Sequence, residues 1–172
     1  CFMQRIAEFE KVSYEKFREG FLDAFGMTEN EEISSAYNHI ILPTRATAGS
    51  AGYDFFCTRD LVIAPGKTVK IPTGIRAKMQ EGWVLLLFPR SGLGFKYRLQ
   101  LNNTVGVIDS DYYYSDNEGQ IFAKITNDSR EEKTVMLKSG DGFMQGIFLP
   151  FGITCEDSVS VLRNGGFGST SK

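Results

Sequence analysis

Two carboxylates and a tyrosine close the run Asn102-Asn103-Thr104-Val105-Gly106-Val107-Ile108-Asp109-Ser110-Asp111-Tyr112. Asn102, Asn103 and Gly106 are turn formers, and Val105, Val107 and Ile108 are strand formers. The run therefore reads as a β-hairpin with a glycine where backbone must come close to something. If the strand continues through Asp109 and Asp111, their side chains share one face. A backbone-lined slot with a carboxylate and an aromatic ring at its mouth suits a planar base with a sugar. Taken alone, the stretch reads first as an ordinary surface hairpin with solubilising acids.

A second stretch, Phe88-Pro89-Arg90-Ser91-Gly92-Leu93-Gly94, suits phosphate. The strand ends at Pro89, and Ser91 is placed to cap a short helix starting near Gly92. Its free N–H groups and the fork of Arg90 are anion donors. The stretch is not GxGxxG, because Lys96-Tyr97 stand where the third glycine is required. The run Arg163-Asn164-Gly165-Gly166-Phe167-Gly168-Ser169-Thr170-Ser171-Lys172 lacks the Lys before Ser/Thr of a Walker A loop. It reads as a disordered tail, or as a lid whose Arg and hydroxyls meet phosphates while Phe stacks on a base. The single histidine, His39, would have to serve any Ser-His or Cys-His hydrolase, and a multi-histidine metal site is excluded. A general base is therefore expected to be Asp or Glu.

These residues need a scaffold, and 172 residues suffice for one domain with a real core. Aromatic content is 13%, with 14 Phe and 18 Gly, which fits a compact β-rich protein. A net charge of −2 provides no basic field for nucleic acid. No apolar run approaches a membrane span, and no signal peptide is visible. Cys1, Cys57 and Cys155 form no CxxC pair, so neither a disulfide framework nor a zinc site is indicated. A reduced, cytoplasmic setting is the simplest inference. Cys1 in place of an initiating Met reads as a truncated or processed start.

Residues 1–40 lack Pro, are rich in Glu, and carry helical spacing. Tyr14, Phe17, Phe21, Leu22 and Phe25 make one apolar stripe, and Gly26 is placed to end that helix. Thr28 with Glu31 reads as a capping box opening a second short helix toward Tyr37. This extension is expected to pack on the domain or on a neighbouring subunit and to be dispensable for chemistry. A pair of partner-binding helices is the minority reading. From Leu42 the pattern becomes short strands and tight turns, with Pro65-Gly66 and Glu81-Gly82 as turn signals. Strands are expected at 61–63, 68–71, 75–79, 83–88, 121–125, 133–137 and 146–149. Many strands at short intervals argue for a sandwich or jelly roll.

Taken together, the stretches resemble the five ordered motifs of the homotrimeric dUTPases (deoxyuridine 5′-triphosphate nucleotidohydrolases). These are Ala51-Gly52-Tyr53-Asp54-Phe55, Pro89 to Gly94, Asn103 to Tyr112 with Gly119-Gln120-Ile121, Gly140-Asp141 to Gln145, and Arg163 to Thr170. Five motifs in order over residues 42–172 make coincidence remote. The resemblance implies a mainly β fold of the jelly-roll or distorted β-barrel type. It implies an extension at 1–40, a hydrolase domain at 41–156, and an arm with a mobile lid at 157–172.

The resemblance further implies Mg²⁺-dependent hydrolysis of dUTP to dUMP and pyrophosphate. Asp109 would be the general base and touch the 3′-hydroxyl. Tyr112 would stack under the deoxyribose and exclude a 2′-hydroxyl. Asn103 and the backbone of Gly106, Val107 and Ile108 would read uracil. Arg90, Ser91, Gly92 and Gln145 would bind phosphates, with Arg163, Phe167, Gly168, Ser169 and Thr170 closing over them. Asp54 would lie near the water shell of Mg²⁺, which the phosphates carry without a protein metal site. A homotrimer with three shared sites is implied. The chain departs from the family pattern at Tyr113 to Glu118, which lengthen the third motif. Gly142 replaces a basic residue, Gly146 replaces a large aliphatic and is expected to loosen packing, and the tail is one residue short. Two rivals are a dCTP deaminase of related fold and a nucleotide-sensing protein whose extension or 113–118 loop binds a regulatory protein partner.

Overall fold

A computed structural model describes residues 3–161 and 163. Among the described residues, branched and aromatic side chains alternating with polar ones build twelve short strands. They are β1 (Ala7–Lys11), β2 (Thr44–Arg45), β3 (Tyr53–Phe56), β4 (Leu61–Ile63), β5 (Thr68–Pro72) and β6 (Ile75–Met79). Then follow β7 (Trp83–Pro89), β8 (Leu99–Leu101), β9 (Gly106–Ile108), β10 (Phe122–Asn127), β11 (Val135–Leu137) and β12 (Gly142–Pro150). Among the described residues they form a five-stranded sheet β2-β3-β12-β7-β9, a three-stranded sheet β5-β10-β8, and the pairs β1-β6 and β4-β11. All these pairings are antiparallel. The chain is thus mainly β, as its strand spacing predicts.

The inward faces supply one core, with Phe55, Ile71, Ile75, Leu85, Leu87, Ile121, Ile125, Phe143 and Met144 at most 2% exposed. Two helices join it. α1 (Tyr14–Phe25) follows the apolar stripe, is capped by Ser13, and ends at Gly26 with φ 75°. Phe17 and Phe21 from its buried face are fully enclosed. α2 (Asn30–Asn38) buries Ile33 in the same cluster.

Three local expectations are corrected. The segment before residue 40 is not wholly helical, because Ala7–Lys11 pairs with Met79–Ile75 of β6. Its alternation of Ala7, Phe9 and Lys11 with Glu8 and Glu10 has strand period, which the charged composition masked. Thr28 does not open the second helix. Its hydroxyl turns back to the Gly26 carbonyl (3.2 Å), and Glu29 takes the cap position without a side-chain bond. Gly146 does not loosen the sheet: a Cβ there would lie 2.8 Å from Leu85 Cδ1 and 3.0 Å from Phe55 Cε2, so larger neighbours already fill the space.

His39 caps the end of α2 from the surface, with Nδ1 2.7 Å from the Ser35 carbonyl.

Candidate functional site

Asn102 to Val105 do not turn a hairpin. β8 pairs with β10 and β9 pairs with β7, so the turn carries the chain from one sheet to another. Thr104 takes a left-handed φ of 66° within it. Gly106 answers a close approach, but the neighbour is protein: a Cβ there would sit 3.0 Å from Leu87 Cβ. Asn103 and Val107 are exposed, while Gly106 and Ile108 are buried. Sequence alternation could not distinguish a hairpin from a corner, because both need a turn between two apolar runs.

Nor does the strand continue into the acids. β9 stops at Ile108, Asp109 precedes a short 3-10 helix (Ser110–Tyr114), and Asp111 lies in its first turn. The two carboxylates still converge, on Arg163. Its Nη2 is 2.5 Å from Asp109 Oδ2 and its Nε 3.1 Å from Asp111 Oδ1. Asp109 remains about half exposed, at 48% of its side chain. A half-exposed carboxylate can accept a hydrogen bond from water and so orient it, while a neighbouring guanidinium keeps it ionised.

Tyr112 is not at a mouth. It is 2% exposed, and its hydroxyl donates to the Gln120 carbonyl (2.6 Å) while accepting from Asn117 Nδ2 (2.8 Å). Burial foremost raises its pKa. The Arg163 guanidinium lies 5.9 Å from the ring centroid.

A second cluster gathers where β7 ends. Gln145 of β12 lies opposite Asp54 of β3 on one side and Phe88 of β7 on the other. Arg90 pairs with Asp54 at 3.3 Å and donates Nη1–H to the Gly142 carbonyl at 3.1 Å. Gln145 Nε2 points at the Pro89 carbonyl, 3.4 Å away. α3 (Ser91–Tyr97) starts here, with Arg90 rather than Ser91 in the cap position and no side-chain cap bond. The first-turn amides of Ser91 and Gly92 have no intrahelical acceptor. Gly142, absent from sequence reasoning as a site residue, shapes this cluster: a Cβ there would meet Arg90 Nη1 at 2.6 Å. Gly142→Ala is therefore expected to keep the fold and displace Arg90, and so to weaken about tenfold any anion binding that Arg90 supports, the scale of one charge-assisted bond. A titration with a non-hydrolysable nucleotide triphosphate measures this; unchanged affinity means that Arg90 is not placed by the gap.

The structure does not bring the two clusters together within one chain. Leu87 pairs with Gly106 and Leu85 with Ile108, so Asp109 follows toward the Trp83 end of β7. Arg90 leaves β7 at its other end, after Pro89. The six steps from Val84 to Arg90 span about 20 Å at roughly 3.3 Å per residue. Of the tail, Arg163 is described; Phe167, Gly168, Ser169 and Thr170 lie outside the described residues. A groove of about 1270 Å³ lined by Phe9, Arg45, Lys78 and Trp83 lies elsewhere and holds neither Asp109 nor Arg90.

The fold and its clusters define a mainly β protein with one centre suited to an anion and another to taking a proton. The dUTPase family model matches residues 38–171. The deoxyuridine 5'-triphosphate nucleotidohydrolase of Lactococcus lactis subsp. lactis is 42% identical over 144 residues, covering 81% of this chain and 95% of that protein. The crystal structure of dUTPase from Streptococcus mutans, at 38% identity, superposes with a TM-score of 0.62 over 85% of this chain and 97% of that one. A dUTPase from phage phi11 of S. aureus, described with a structural Mg(II) ion, shares the fold at 24% identity and TM-score 0.59. It covers 72% of this chain and 92% of that one. This chain belongs to the dUTPase family.

Proposed function

We propose that the protein hydrolyses dUTP to dUMP and pyrophosphate, keeping uracil out of DNA. The observation that carries this is a family match over residues 38–171 that includes a half-exposed Asp109 beside Tyr112 and Arg163. Asp109 orients a water and takes its proton as the oxygen bonds to the α-phosphorus. The bond from that phosphorus to the bridging oxygen breaks, and pyrophosphate leaves with the electron pair. Arg90, the Ser91 and Gly92 amides and Gln145 bind the phosphates and offset their charge, which is most of what phosphoryl transfer asks of a protein. Asn103 and the backbone from Gly106 to Ile108 read the base. Arg163 and the residues through Thr170 close over the nucleotide.

Asp54 is one carboxylate, 19% exposed and already beside Arg90, a donor set that fits a Mg²⁺ held chiefly by phosphate oxygens and water. When bound, that ion neutralises and orients the phosphates. Because Asp109 and Arg90 stand about 20 Å apart along β7, one copy supplies the base and another the phosphate grip. A closed homotrimer gives every copy both roles. The division into extension 1–40, hydrolase domain 41–156 and arm 157–172 accompanies this reading, as does a cytoplasmic setting.

Tyr112 provides a prediction with two parts. Tyr112→Phe leaves the Gln120 carbonyl unpaired and costs about 1–3 kcal/mol of stability, yet preserves the ring, against which the sugar would pack in the place the Arg163 guanidinium takes 5.9 Å from the ring centroid. Tyr112→Ala costs about 3–5 kcal/mol and narrows the ratio of kcat/KM between dUTP and UTP. Urea unfolding and paired assays read both; an unchanged ratio in the Ala variant removes Tyr112 from sugar selection.

Incubation with dUTP, dCTP, dTTP and UTP plus Mg²⁺, followed by product analysis, tests the whole reading. The expected result is dUMP and pyrophosphate from dUTP alone. Ammonia released from dCTP would establish the deaminase instead.

A further inference from the structure

Two stretches lie beside the residues read as chemical: the segment before residue 38, outside the family match, and the long loop Tyr113 to Glu118 directly after Tyr112. In the fold they are fastened together. The Glu118 carboxylate accepts the backbone N–H of Ser13 at 2.7 Å, and the Ser13 hydroxyl in turn caps α1. The Tyr113 hydroxyl donates to Glu10 on β1 at 2.8 Å. Glu10 is also held by Arg76, its partner across the β1-β6 pair, at 2.8 Å, and that guanidinium lies 4.3 Å from the Tyr113 ring centroid. Gln120, 1% exposed, donates Nε2–H to the Lys16 carbonyl on α1 at 2.9 Å, while its own carbonyl accepts the Tyr112 hydroxyl.

We propose that the β1–α1 segment is a positioning element for the reaction, holding Tyr112 and Asp109 in place through Glu118, Tyr113 and Gln120. The inference rests on the reading of Asp109 as the base that activates water for dUTP. A 3-10 turn has poor internal hydrogen bonds, so the Ser110–Tyr114 turn needs outside contacts to hold one geometry. Glu118 sits at φ 58°, a left-handed conformation that a non-glycine residue keeps only when its surroundings impose it. The Ser13 N–H foremost holds the Glu118 carboxyl below its usual range, and the Tyr113 hydroxyl does the same for Glu10. Both carboxylates are therefore charged and tied at neutral pH. Their contribution is lost only as pH falls through the depressed folded-state values. The ties reach the loop from β1, from the start of α1 and from its first turn, so they restrain it in different directions. Misplacing a reacting group by about 1 Å can cost about 10²-fold in rate. The extension, expected from sequence to be dispensable for chemistry, thereby acts on it without touching substrate.

The test uses the full chain carrying Glu118→Ala with Tyr113→Phe, compared with Glu118→Gln, which retains an acceptor for the Ser13 N–H. The double variant is expected to lose at least about tenfold in kcat for dUTP with little change in KM. Hydrogen exchange should show lost protection confined to residues 110–120, and Tm should fall by only a few degrees. Glu118→Gln should recover most of the lost kcat. A kcat within about twofold of the parent, or a loss that tracks Tm and is not recovered by Glu118→Gln, overturns the proposal. If the double variant does not fold, Glu118→Ala alone is read by the same criteria. Should the parent protein fail to hydrolyse dUTP, the functional reading fails by itself. Exchange at 110–120 then still tests the brace, and unchanged protection in the variant overturns it.

Discussion

Asp109→Asn is expected to leave the fold and nucleotide binding intact and to lower kcat for dUTP by about 10²–10⁴-fold, the usual worth of a positioned general base. The substitution preserves the shape of the side chain and removes only its basicity. Asp111 still faces Arg163 at 3.1 Å, so the arm keeps one carboxylate partner. The Asp109 side chain is 48% exposed, so the folded state loses little when its charge is removed. The one histidine lies at the far end of α2, bonded to Ser35, and offers no substitute base. Steady-state assays with dUTP and a binding titration with a non-hydrolysable analogue separate the two effects. Hydrolysis near the parent rate would remove Asp109 from the mechanism.

Mixing inactive chains should restore activity. If Asp109 comes from one copy and Arg90 from its neighbour, Asp109→Asn and Arg90→Ala chains are each nearly inactive alone. Unfolded and reassembled together in equal amounts, they place two intact contributions at about one site in four, and activity recovers to about a quarter of the parent value. The geometry behind this is the register of β7: Asp109 is reached past its Trp83 end and Arg90 past its Pro89 end. A site complete within one chain would show no recovery, and that outcome would disprove the shared site. Light scattering on the reassembled mixture verifies that mixed oligomers form.

The amino-acid order alone determined the mainly β class, the capped helix over Tyr14–Phe25 and the residue types available for chemistry. Strand alternation and helical stripes are local patterns, readable from neighbours in the chain. A single histidine, Cys residues without metal spacing and five ordered motifs likewise depend on no contact. Composition misled only where charge hid strand period, as at Glu8 and Glu10 in β1. Tertiary structure decided everything that depends on partners distant in sequence. Asn102 to Val105 became a corner between sheets because β8 found β10 and β9 found β7. Tyr112 turned inward because the Gln120 carbonyl and Asn117 could satisfy its hydroxyl in the core. Gly142 mattered because Arg90, 52 residues away, fills the space a side chain would take. The ties from Glu10, Ser13 and Lys16 to the loop after Tyr112 span more than 100 residues. Hydrogen bonds over such separations leave no periodic trace in sequence, since each needs only one donor and one acceptor that the rest of the fold brings within reach.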